Sequence, residues 1–496
     1  MSNAVLWAPL AFGLIGLFLP SRLSGWWAAL GAAVTLALAA YLAIDLDTGA
    51  GLQHVTDITW ISGLGVHYSI GVDGLNVFLV LLTAVVWLPA TAFAAAREQD
   101  RGRLFFLMLL LGETATLGSF LAQDLLLFVL FFDLMLVPFY FLFGAWGEDR
   151  PGTTAVGATT KMIVFTLFGS LLMLVGAIAT GILASDGDIT FSIAELQQRT
   201  LGAGSQDWLF WFFAVAFLVK MPAFLLHGWF PDAYRVAPLA ALAVFSAVLS
   251  KVGAYGFLRV VLPLFPDATV EFQEIVLVIA LASILYGSVM AFTQTDLRLV
   301  AGYSSVAQLG FITAGVFALR PDGADGAILQ MVNHGLVVAP LLLIIAILSE
   351  RTGREDLREL GGYAVRAPVL ASLFLIVALA TLAMPGSANF IGEFYILTAL
   401  FQAKIVYALV ASAGVVLAAY YGLRLYQRTM HNRLPAGIEP RDVSVHDGLL
   451  VGGLVAVILA LALYPNAVLS KTDDAARASV AGFAPEPGPT LSRAPE

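Results

Sequence analysis

The sequence predicts an all-α polytopic membrane protein with about fourteen transmembrane helices. Apolar residues make up 60% of the 496 residues and charged residues only 12%, whereas a soluble domain carries about a quarter charged residues. The mean hydropathy is +0.89. Apolar runs of about 18 residues or more recur along the chain, and each can cross ~30 Å of hydrocarbon. We therefore expect most of the surface to contact lipid.

The apolar runs give the predicted spans in order. They are 4–20, 25–44, 73–96, 103–122, 124–146, 156–183, 207–228, 238–263, 271–293, 297–319, 324–349, 367–402, 405–429 and 446–466. The first run has no basic region before it, so we expect a retained span rather than a cleaved signal peptide.

Three polar segments lie outside the spans. Segment 45–72 is rich in Gly but contains the Thr, Ile, Val and Tyr residues of a short β-hairpin. Segment 184–206 is a second loop. The tail 471–496 is rich in Ala, Pro and Ser, and we expect it to be disordered.

The chain contains no cysteine. This excludes cysteine-ligated iron–sulfur clusters, thiolate zinc sites and disulfides. No group of His and Glu residues has the spacing of metal ligands either. If the protein serves a redox enzyme, the electrons must travel through other subunits.

Basic residues predict the orientation. We call the side that holds the N-terminus the outer side. Sixteen of the 25 Lys and Arg residues then fall on the inner side and seven on the outer side. Inner loops usually carry this excess, so both termini are predicted to lie outside. The two remaining basic residues, Lys220 and Lys251, lie within spans.

These two lysines are the first candidate functional residues. Lys220 follows the apolar run that starts at Trp208, which places it roughly 20 Å deep at 1.5 Å per residue. A lysine at a helix centre costs about 2.5–3.5 kcal/mol on insertion scales. Two such lysines in successive spans favour proton sites, because a nearby charge can load or empty a buried amine. A structural ion pair is the alternative.

Asp133 is the predicted partner of Lys220. It interrupts the otherwise apolar stretch 125–137. A carboxylate that moves toward or away from a lysine changes the proton affinity of that lysine. A fixed salt bridge is the alternative interpretation.

Two further carboxylates are predicted to lie in the membrane. Glu393 follows an apolar run that Pro385 interrupts, and a buried Glu at this place could exchange protons with Lys251. A hydrogen-bonded core carboxylate is the alternative. Glu113 is compatible either with a polar contact between helices or with a place in the pathway.

His227, His334 and Gln308 are candidate relay residues. Histidine titrates near neutrality and can pass protons on, although a packing role suits each histidine equally well. His227 follows Lys220 by two helical turns and would share its face unless Pro222 redirects the chain. Gln308 cannot titrate, but its amide can hold water in a chain.

Two predicted spans carry a Met-Pro pair, which ends in Pro222 in one and in Pro385 in the other. Proline breaks a helix, and paired breaks in two halves of a transporter indicate inverted repeats around an ion path. The resulting division is 1–72 (two helices and an outer loop), 103–263 (first five-helix repeat, helices 4–8), 271–430 (second repeat, helices 9–13) and 446–496 (last helix and disordered tail).

Short motifs across residues 71–430 resemble the antiporter-like subunits of bacterial respiratory complex I, most closely the NuoM type (NADH-quinone oxidoreductase subunit M). The matching stretches are GVDGL at 71–75, FDLMLVP at 132–138, KMP at 220–222, HGWFPDA at 227–233, KVGAYG at 251–256, QTDL at 294–297, YSS at 303–305, NHG at 333–335, PG at 385–386 and GEF at 392–394.

The resemblance implies a role for each buried charge. Lys220 would be the pumping lysine of the inner half-channel, with Asp133 as its controlling partner. Lys251 would be the connecting lysine and Glu393 the terminal acid on the outer side. His227 and His334 would match motif histidines on a central hydrophilic axis.

The resemblance also implies the reaction and the partners. NADH would reduce quinone in another arm, with flavin, iron–sulfur clusters and quinone bound by other subunits and none in this chain. Neighbouring antiporter-like subunits, the lateral helix of a larger paralogue and the lipid bilayer would be the partners, and nucleic acid would not. The location would be the bacterial cell membrane.

Three positions depart from the family pattern. Asp133 stands where the family usually has Glu, Gln308 where it often has His, and Leu-Arg-Leu follows Asp296 where it tends to have two basic residues. Two alternatives stay open. One is a subunit of a multi-subunit Na⁺/H⁺ antiporter or membrane-bound hydrogenase, and the other is a membrane scaffold whose charges have no transport role.

Overall fold

The computed structural model describes residues 1–185, 187–434 and 441–483. Helices dominate this part of the chain. Those of the first half are α1 (Ser2–Gly16), α2 (Ser21–Asp45), α3 (Val77–Ala95), α4 (Gly102–Leu121), α5 (Leu125–Leu134), α6 (Leu136–Trp146), α7 (Ala155–Leu183), α8 (Ile193–Leu196), α9 (Ala203–Lys220), α10 (Phe230–Val236), α11 (Leu239–Val244), α12 (Lys251–Gly256) and α13 (Leu262–Leu264).

The second half is also mainly helical. Its helices are α14 (Pro266–Thr293), α15 (Leu297–Phe317), α16 (Pro321–Thr352), α17 (Pro368–Thr381), α18 (Ala388–Ala403), α19 (Ile405–Met430), α20 (Val445–Leu463) and α21 (Asn466–Val480), with 3₁₀ turns at Ser62–Leu64 and Ala481–Phe483.

The predicted all-α membrane fold is confirmed. In the described ranges, eleven helices are long and apolar enough to cross a membrane. Each predicted span overlaps one to three of the helices. The count of fourteen crossings and the two inverted repeats stay predictions.

Burial separates a central group of helices from a rim. α15, α16 and the continuous helix Leu239–Leu264 are buried over nearly their whole length. Only about a third of the residues of α19 and α20 are buried, and these helices present apolar side chains outward. This pattern fits a bundle whose rim faces lipid and whose polar residues lie on the central helices.

The predicted hairpin is present as an antiparallel pair, β1 (Gln53–Ile61) and β2 (Val66–Val72). The side chains of Asn3 and Ser2 at the start of α1 bind it. The Asn3 amide donates to the Thr56 hydroxyl at 2.9 Å, and the Ser2 hydroxyl donates to the carbonyl of His54 at 2.8 Å. The hairpin therefore lies against the outer end of α1.

The first proline break follows Lys220 directly. α9 ends at this lysine, and Pro222 leaves the backbone without an N–H donor. The indole of Trp229 donates to the carbonyl of Val219 at 3.2 Å, and the amide of Phe224 donates to a Ser283 hydroxyl at 2.9 Å. Side chains thus satisfy backbone groups that the break would leave unpaired in the membrane.

The second break separates α17 from α18. Ala383 adopts a left-handed φ of 51°, and the amide of Met384 bonds back to the carbonyl of Leu379 at 3.1 Å. This closure is of the Schellman type. The amide of Asn333 then binds the carbonyl of Ala388 at 2.8 Å, at the start of α18. Both Met-Pro pairs therefore interrupt helices, as the sequence predicts.

Lys251 lies on a helix that is continuous but irregular. Between Leu239 and Leu264 the helix contains two π-helical segments, Phe245–Leu249 and Phe257–Val261, which flank α12. Such segments free backbone carbonyls and are frequent at functional sites. We call this element the Lys251 helix.

The disordered tail is a wrong prediction over the described residues. α21 runs through Val480, and its Val468, Thr472, Ala476 and Val480 are buried at four-residue intervals. The four-residue spacing gives this segment a single helical stripe that packs on α16. Composition alone missed it because Ala and Ser are also common in disordered segments. The rest of the predicted tail, 484–496, lies outside the described residues.

Gly253 sets the distance between the Lys251 helix and the first break. A Cβ at this position would lie 2.8 Å from the carbonyl oxygen of Phe217 and 2.8 Å from Cγ of Met221. We expect Gly253→Ala to lower the stability of the detergent-purified protein by about 1–3 kcal/mol, the usual cost of overpacking. The melting midpoint measures this.

Gly452→Ala is the matched control, since a Cβ at that helical position would meet no atom within 4 Å. We expect it to leave the midpoint unchanged or to raise it slightly, because alanine favours the helix. Equal melting midpoints for the two variants would show that the close approach at Gly253 is not needed.

Candidate functional site

Asp133 and Lys220 lie close together without direct contact. Asp133 is half-buried in the last turn of α5, beside Ser170 of α7 and within electrostatic range of Lys220. The Lys220 ammonium is buried at the end of α9, and in the described part of the chain its Nζ has no hydrogen-bond partner. This Nζ lies over the ring of Phe132, 4.7 Å from its centroid.

This geometry bears on the alternative of a fixed salt bridge. A hydrogen-bonded pair would hold both charges permanently, whereas here the shorter acid stops short of the lysine. The two groups can therefore change their separation without breaking a direct bond. The carboxylate interacts with the lysine through space, and the strength of such an interaction depends on the distance between the charges.

A small cavity lies beside Lys220. It has a volume of about 10 Å³ and is lined by Lys220, Tyr234, Ser246, Ser250 and Ser305 together with apolar side chains. A cavity needs roughly 10–15 Å³ to admit one water, with polar partners for it. The cavity is thus at the lower limit of the size that holds one water, and its hydroxyl groups could bind that water.

Lys251 lies directly beyond this cavity. It is fully buried, and its Nζ donates to the carbonyl of Ser246 at 2.8 Å. The hydroxyl of the same Ser246 accepts a short hydrogen bond from Tyr234 and lies 3.5 Å from the hydroxyl of Ser305. Ser246 therefore links the two lysines, since its hydroxyl lines the cavity at Lys220 and its carbonyl binds Lys251.

His334 continues the path from Lys251. It is buried on α16 within electrostatic range of Lys251, and its Nδ1 has no protein partner among the described residues. It lines a second cavity of about 10 Å³, together with Ser304, Gln308 and Asn389.

Glu393 closes the path on α18. It is buried, and its Oε1 accepts a hydrogen bond of 2.7 Å from the amide of Gln308. Gln308 in turn accepts a bond of 2.6 Å from the amide of Gln330. The two glutamines form a fixed amide chain that orients the carboxylate, while Oε2 of Glu393 has no partner in the described residues.

The four predicted charges therefore follow one another through the described core. The order is Asp133, Lys220, the first cavity, Lys251, His334, the second cavity, Gln308 and Glu393. Titratable side chains, two small cavities and one amide side chain make up this succession. An arrangement of this kind can move protons by steps between neighbours, and it offers no ligand set for a metal in the described residues.

The chain changes direction between Lys220 and His227. α9 ends at Lys220, so Pro222 is the exception that the sequence allowed for, and the two-turn spacing no longer sets the face of His227. His227 instead lies half-buried in the connection that leads to α10, with its ring centroid 4.7 Å from that of Tyr286. Tyr286 and Tyr303 then lead toward the inner ends of α14 and α15.

Glu113 is completely buried on α4, and neither of its oxygens has a protein partner in the described ranges. Of its two interpretations, a direct polar contact between helices is therefore wrong for this structure. It lies two turns before Phe120, whose carbonyl binds the hydroxyl of Tyr255 on the Lys251 helix.

Sequence reasoning missed Tyr234, Ser246, Gln330 and Asn389. Ser246, Gln330 and Asn389 are uncharged polar residues within predicted spans, which is common in helix packing, and their one signal was that they share helices with Lys251, His334 and Glu393. Tyr234 lies between two predicted spans and gave no signal. Their contacts come from different helices, so only the fold brings them together.

Comparison with known proteins shows the family of this chain. The family described as "NADH:quinone oxidoreductase/Mrp antiporter, TM" matches residues 122–418. The chain belongs to this family. Relatives described as NADH-quinone oxidoreductase subunit M include those of Rhodobacter capsulatus, 36% identical over 90% of this chain and 88% of the relative, and of Escherichia coli K12, 34% identical over 91% of both chains.

Solved structures show the same family fold. A chain of respiratory complex I from Thermus thermophilus with bound NADH is 30% identical, with a TM-score of 0.90 over 98% of this chain and 100% of that one. A chain of the Mrp complex from Dietzia sp. matches with a TM-score of 0.84 over 97% of both chains at 21% identity, which supports the fold alone. The resemblance inferred from the motifs is confirmed.

Gln308 carries the contact that this chain has in place of the usual family histidine. We expect Gln308→Leu to lower stability by about 1–3 kcal/mol, because Glu393 and Gln330 would each lose a buried hydrogen bond. The melting midpoint of the purified protein measures it. Gln308→His is the control and should retain more stability, because one ring nitrogen can still bind Glu393. Equal losses would show that the amide chain does not hold the acid.

Proposed function

We propose that this chain is the proton-translocating membrane-arm subunit of an NADH:quinone oxidoreductase. It moves protons along buried charged residues while quinone is reduced elsewhere in the complex. It takes part in a translocase but performs no redox chemistry itself. The observation that carries the proposal is the succession of Asp133, Lys220, Lys251 and Glu393 with polar cavities between them.

The residues have distinct roles in this proposal. Lys220 takes a proton from the inner side, and the approach of Asp133 controls how firmly it is held. Departure of Asp133 releases the proton through the cavity at Ser246 to Lys251. His334 and Gln308 pass it to Glu393, which releases it on the outer side. Pro222 and Pro385 open the helices where the path needs freed backbone groups.

Glu113 and His227 have secondary places in the proposal. Glu113 is an uncompensated carboxyl on the helix beside Lys251, so it stores a proton near the central lysine. His227 lies by Tyr286 and Tyr303 and belongs to the entrance on the inner side. The two broken helices support the two inverted repeats, 103–263 and 271–430, as the framework of the path.

The surroundings of Asp133 support a neighbouring antiporter-like subunit as partner. The acid is only half-buried, and Leu130 and Val137 beside it are exposed in the isolated chain. A carboxylate facing hydrocarbon is costly, so a second subunit must cover it. The lateral helix of a larger paralogue is a further partner. Flavin, iron–sulfur clusters and quinone belong to other subunits, and the complex lies in the bacterial cell membrane with both termini of this chain outside.

The second candidate is a subunit of a sodium/proton antiporter or membrane-bound hydrogenase. The fold likeness to the Mrp complex favours it. The two lysines at the centre argue against sodium, because an ammonium group donates hydrogen bonds and cannot ligate a cation. The subunit M relatives also match at higher identity and over most of both chains.

Lys220→Ala tests the proposed path. We expect NADH-driven proton pumping by the assembled complex in membrane vesicles to fall strongly, by about tenfold or more, because each ~1.4 kcal/mol added to a barrier slows a step tenfold. A pH-sensitive dye measures the gradient, and native gels measure assembly. The control is Lys404→Ala, an exposed lysine at a helix end, which should pump normally. Full pumping with Lys220→Ala would favour the scaffold with silent charges.

Asp133→Asn tests the controlling acid. We expect slower pumping with assembly retained, because Asn keeps the shape of the side chain but not its charge. Asp133→Glu should be tolerated, since it restores the residue usual in the family and reaches further toward Lys220. Loss of assembly in the Asn variant would favour a structural pair, and an inactive Glu variant would show that the shorter acid is required.

A further inference from the structure

A water-accessible cavity reaches the Lys251 helix from the outer side. It has a volume of about 400 Å³, and its lining includes the exposed loop residues Asp47 and Thr48. Deeper in the same cavity lie Asp73, of the turn before α3, and Arg259, of the Lys251 helix. We call this cavity the outer vestibule.

The vestibule ends near the central lysine. Lys251, Tyr255 and Arg259 recur at four-residue intervals on one helix, so they form one stripe. At 1.5 Å per residue, Arg259 lies roughly 12 Å along the axis from Lys251. The backbone of Lys251 is therefore only about two turns from an opening to the outer side, although its ammonium bonds in the other direction, to Ser246. This opening is not the route through Glu393.

Arg259 lies at the vestibule end of those two turns. Its Nη2 donates to both carboxylate oxygens of Asp73 at 2.6 Å, and its Nε donates to the hydroxyl of Tyr255 at 3.0 Å. The Tyr255 hydroxyl donates onward to the carbonyl of Phe120 at 2.9 Å. Both charged side chains are nearly buried, with exposed fractions of 13% and 15%. The guanidinium thus lies in the stripe with its Nε bonded toward Lys251 and its Nη2 toward the vestibule.

A purely structural purpose explains only part of this arrangement. Asp73 stabilises its own turn without the arginine, since its Oδ1 also accepts the backbone amides of Leu75 at 3.0 Å and Asn76 at 3.3 Å. The turn therefore does not need a buried cation. What a permanently charged guanidinium adds is a fixed positive charge that can neither accept a proton nor pass one on.

We propose that Arg259, oriented by Asp73 and Tyr255, is an electrostatic barrier between Lys251 and the outer vestibule. It prevents protons from passing from Lys251 into the outer vestibule, and from the vestibule back to Lys251. Transfer therefore continues from Lys251 toward Glu393. Fixed positive groups exclude protons and cations from membrane pores in the same manner. The inference rests on the proposed function, because it assigns Arg259 a role only if Lys251 carries protons.

The test measures passive proton leak through the assembled complex in membrane vesicles, without NADH. A pH step is imposed, and its decay is followed with a pH-sensitive dye. We expect Arg259→Gln to speed the decay about tenfold, which corresponds to a barrier lowered by ~1.4 kcal/mol. NADH oxidation should continue while the steady gradient falls. Arg259→Lys keeps a positive charge and should leak much less.

Two controls separate charge from packing and locate the leak. Asp73→Asn leaves the guanidinium positive and still able to donate to the Asn oxygen, so its leak should stay near that of the parent protein. Adding Lys251→Met to Arg259→Gln removes the proton site behind the barrier, so the leak should return to the parent level. An Asp73→Asn leak equal to that of Arg259→Gln would overturn the charge barrier, and so would a leak that persists without Lys251.

If Arg259→Gln does not assemble, Tyr255→Phe decides. It is nearly isosteric and removes only the hydroxyl that orients Nε, so it should raise the leak measurably, and an unchanged leak would overturn the proposal. The outcome is separable from that of the proposed function. If the Arg259→Gln complex shows no increased proton leak while its pumping still requires Lys220, only the barrier proposal is overturned. If pumping does not require Lys220, the proposed function is overturned.

Discussion

The two lysines in the interior of the bundle are the constraint on which the rest of the structure depends. Each would be expensive in lipid, and the chain surrounds each differently. Lys251 is bonded to a carbonyl of its own irregular helix. Lys220 is held without a hydrogen bond, between the ring of Phe132 and a small polar cavity. The setting of Lys251 suits a lysine that stays in place. The setting of Lys220 suits a lysine whose charge changes, as the proposed function requires.

Irregular backbone is what makes these positions tolerable. α9 stops at Lys220, and the groups that the break exposes bind Trp229 and Ser283. The π-helical segments beside Lys251 and the left-handed residue Ala383 before α18 serve the same purpose at other points. All these irregularities lie against other helices, where protein can satisfy the backbone. Lys220, Lys251 and Glu393 thus lie on interrupted or irregular helices, whereas Gln308 and His334 lie on the continuous helices α15 and α16.

The departures from the family pattern acquire a physical meaning in this setting. Gln308 cannot titrate and bonds to both Gln330 and Glu393, so in the proposed path it serves only as a relay between His334 and the acid, beside the second cavity. Asp133 approaches Lys220 without touching it, and its exposure leaves a place for another subunit to act. The inner end of the path is thus loosely held and open to control, whereas the outer end is fixed by hydrogen bonds.

The sequence by itself determined the membrane class, most of the apolar spans, the hairpin, both proline breaks and which charged residues lie inside spans, because composition, length and proline chemistry are local properties. It did not determine the side of His227, the partners of Glu113 or the helix α21, where an amphipathic stripe was hidden in a composition typical of disorder. Only the tertiary structure decided that Ser246 lies beside both lysines and that Asp73 binds Arg259 at the outer vestibule. Ser246 and Arg259 share the Lys251 helix, but Lys220 and Asp73 come from other parts of the chain, and packing alone brings them to that helix.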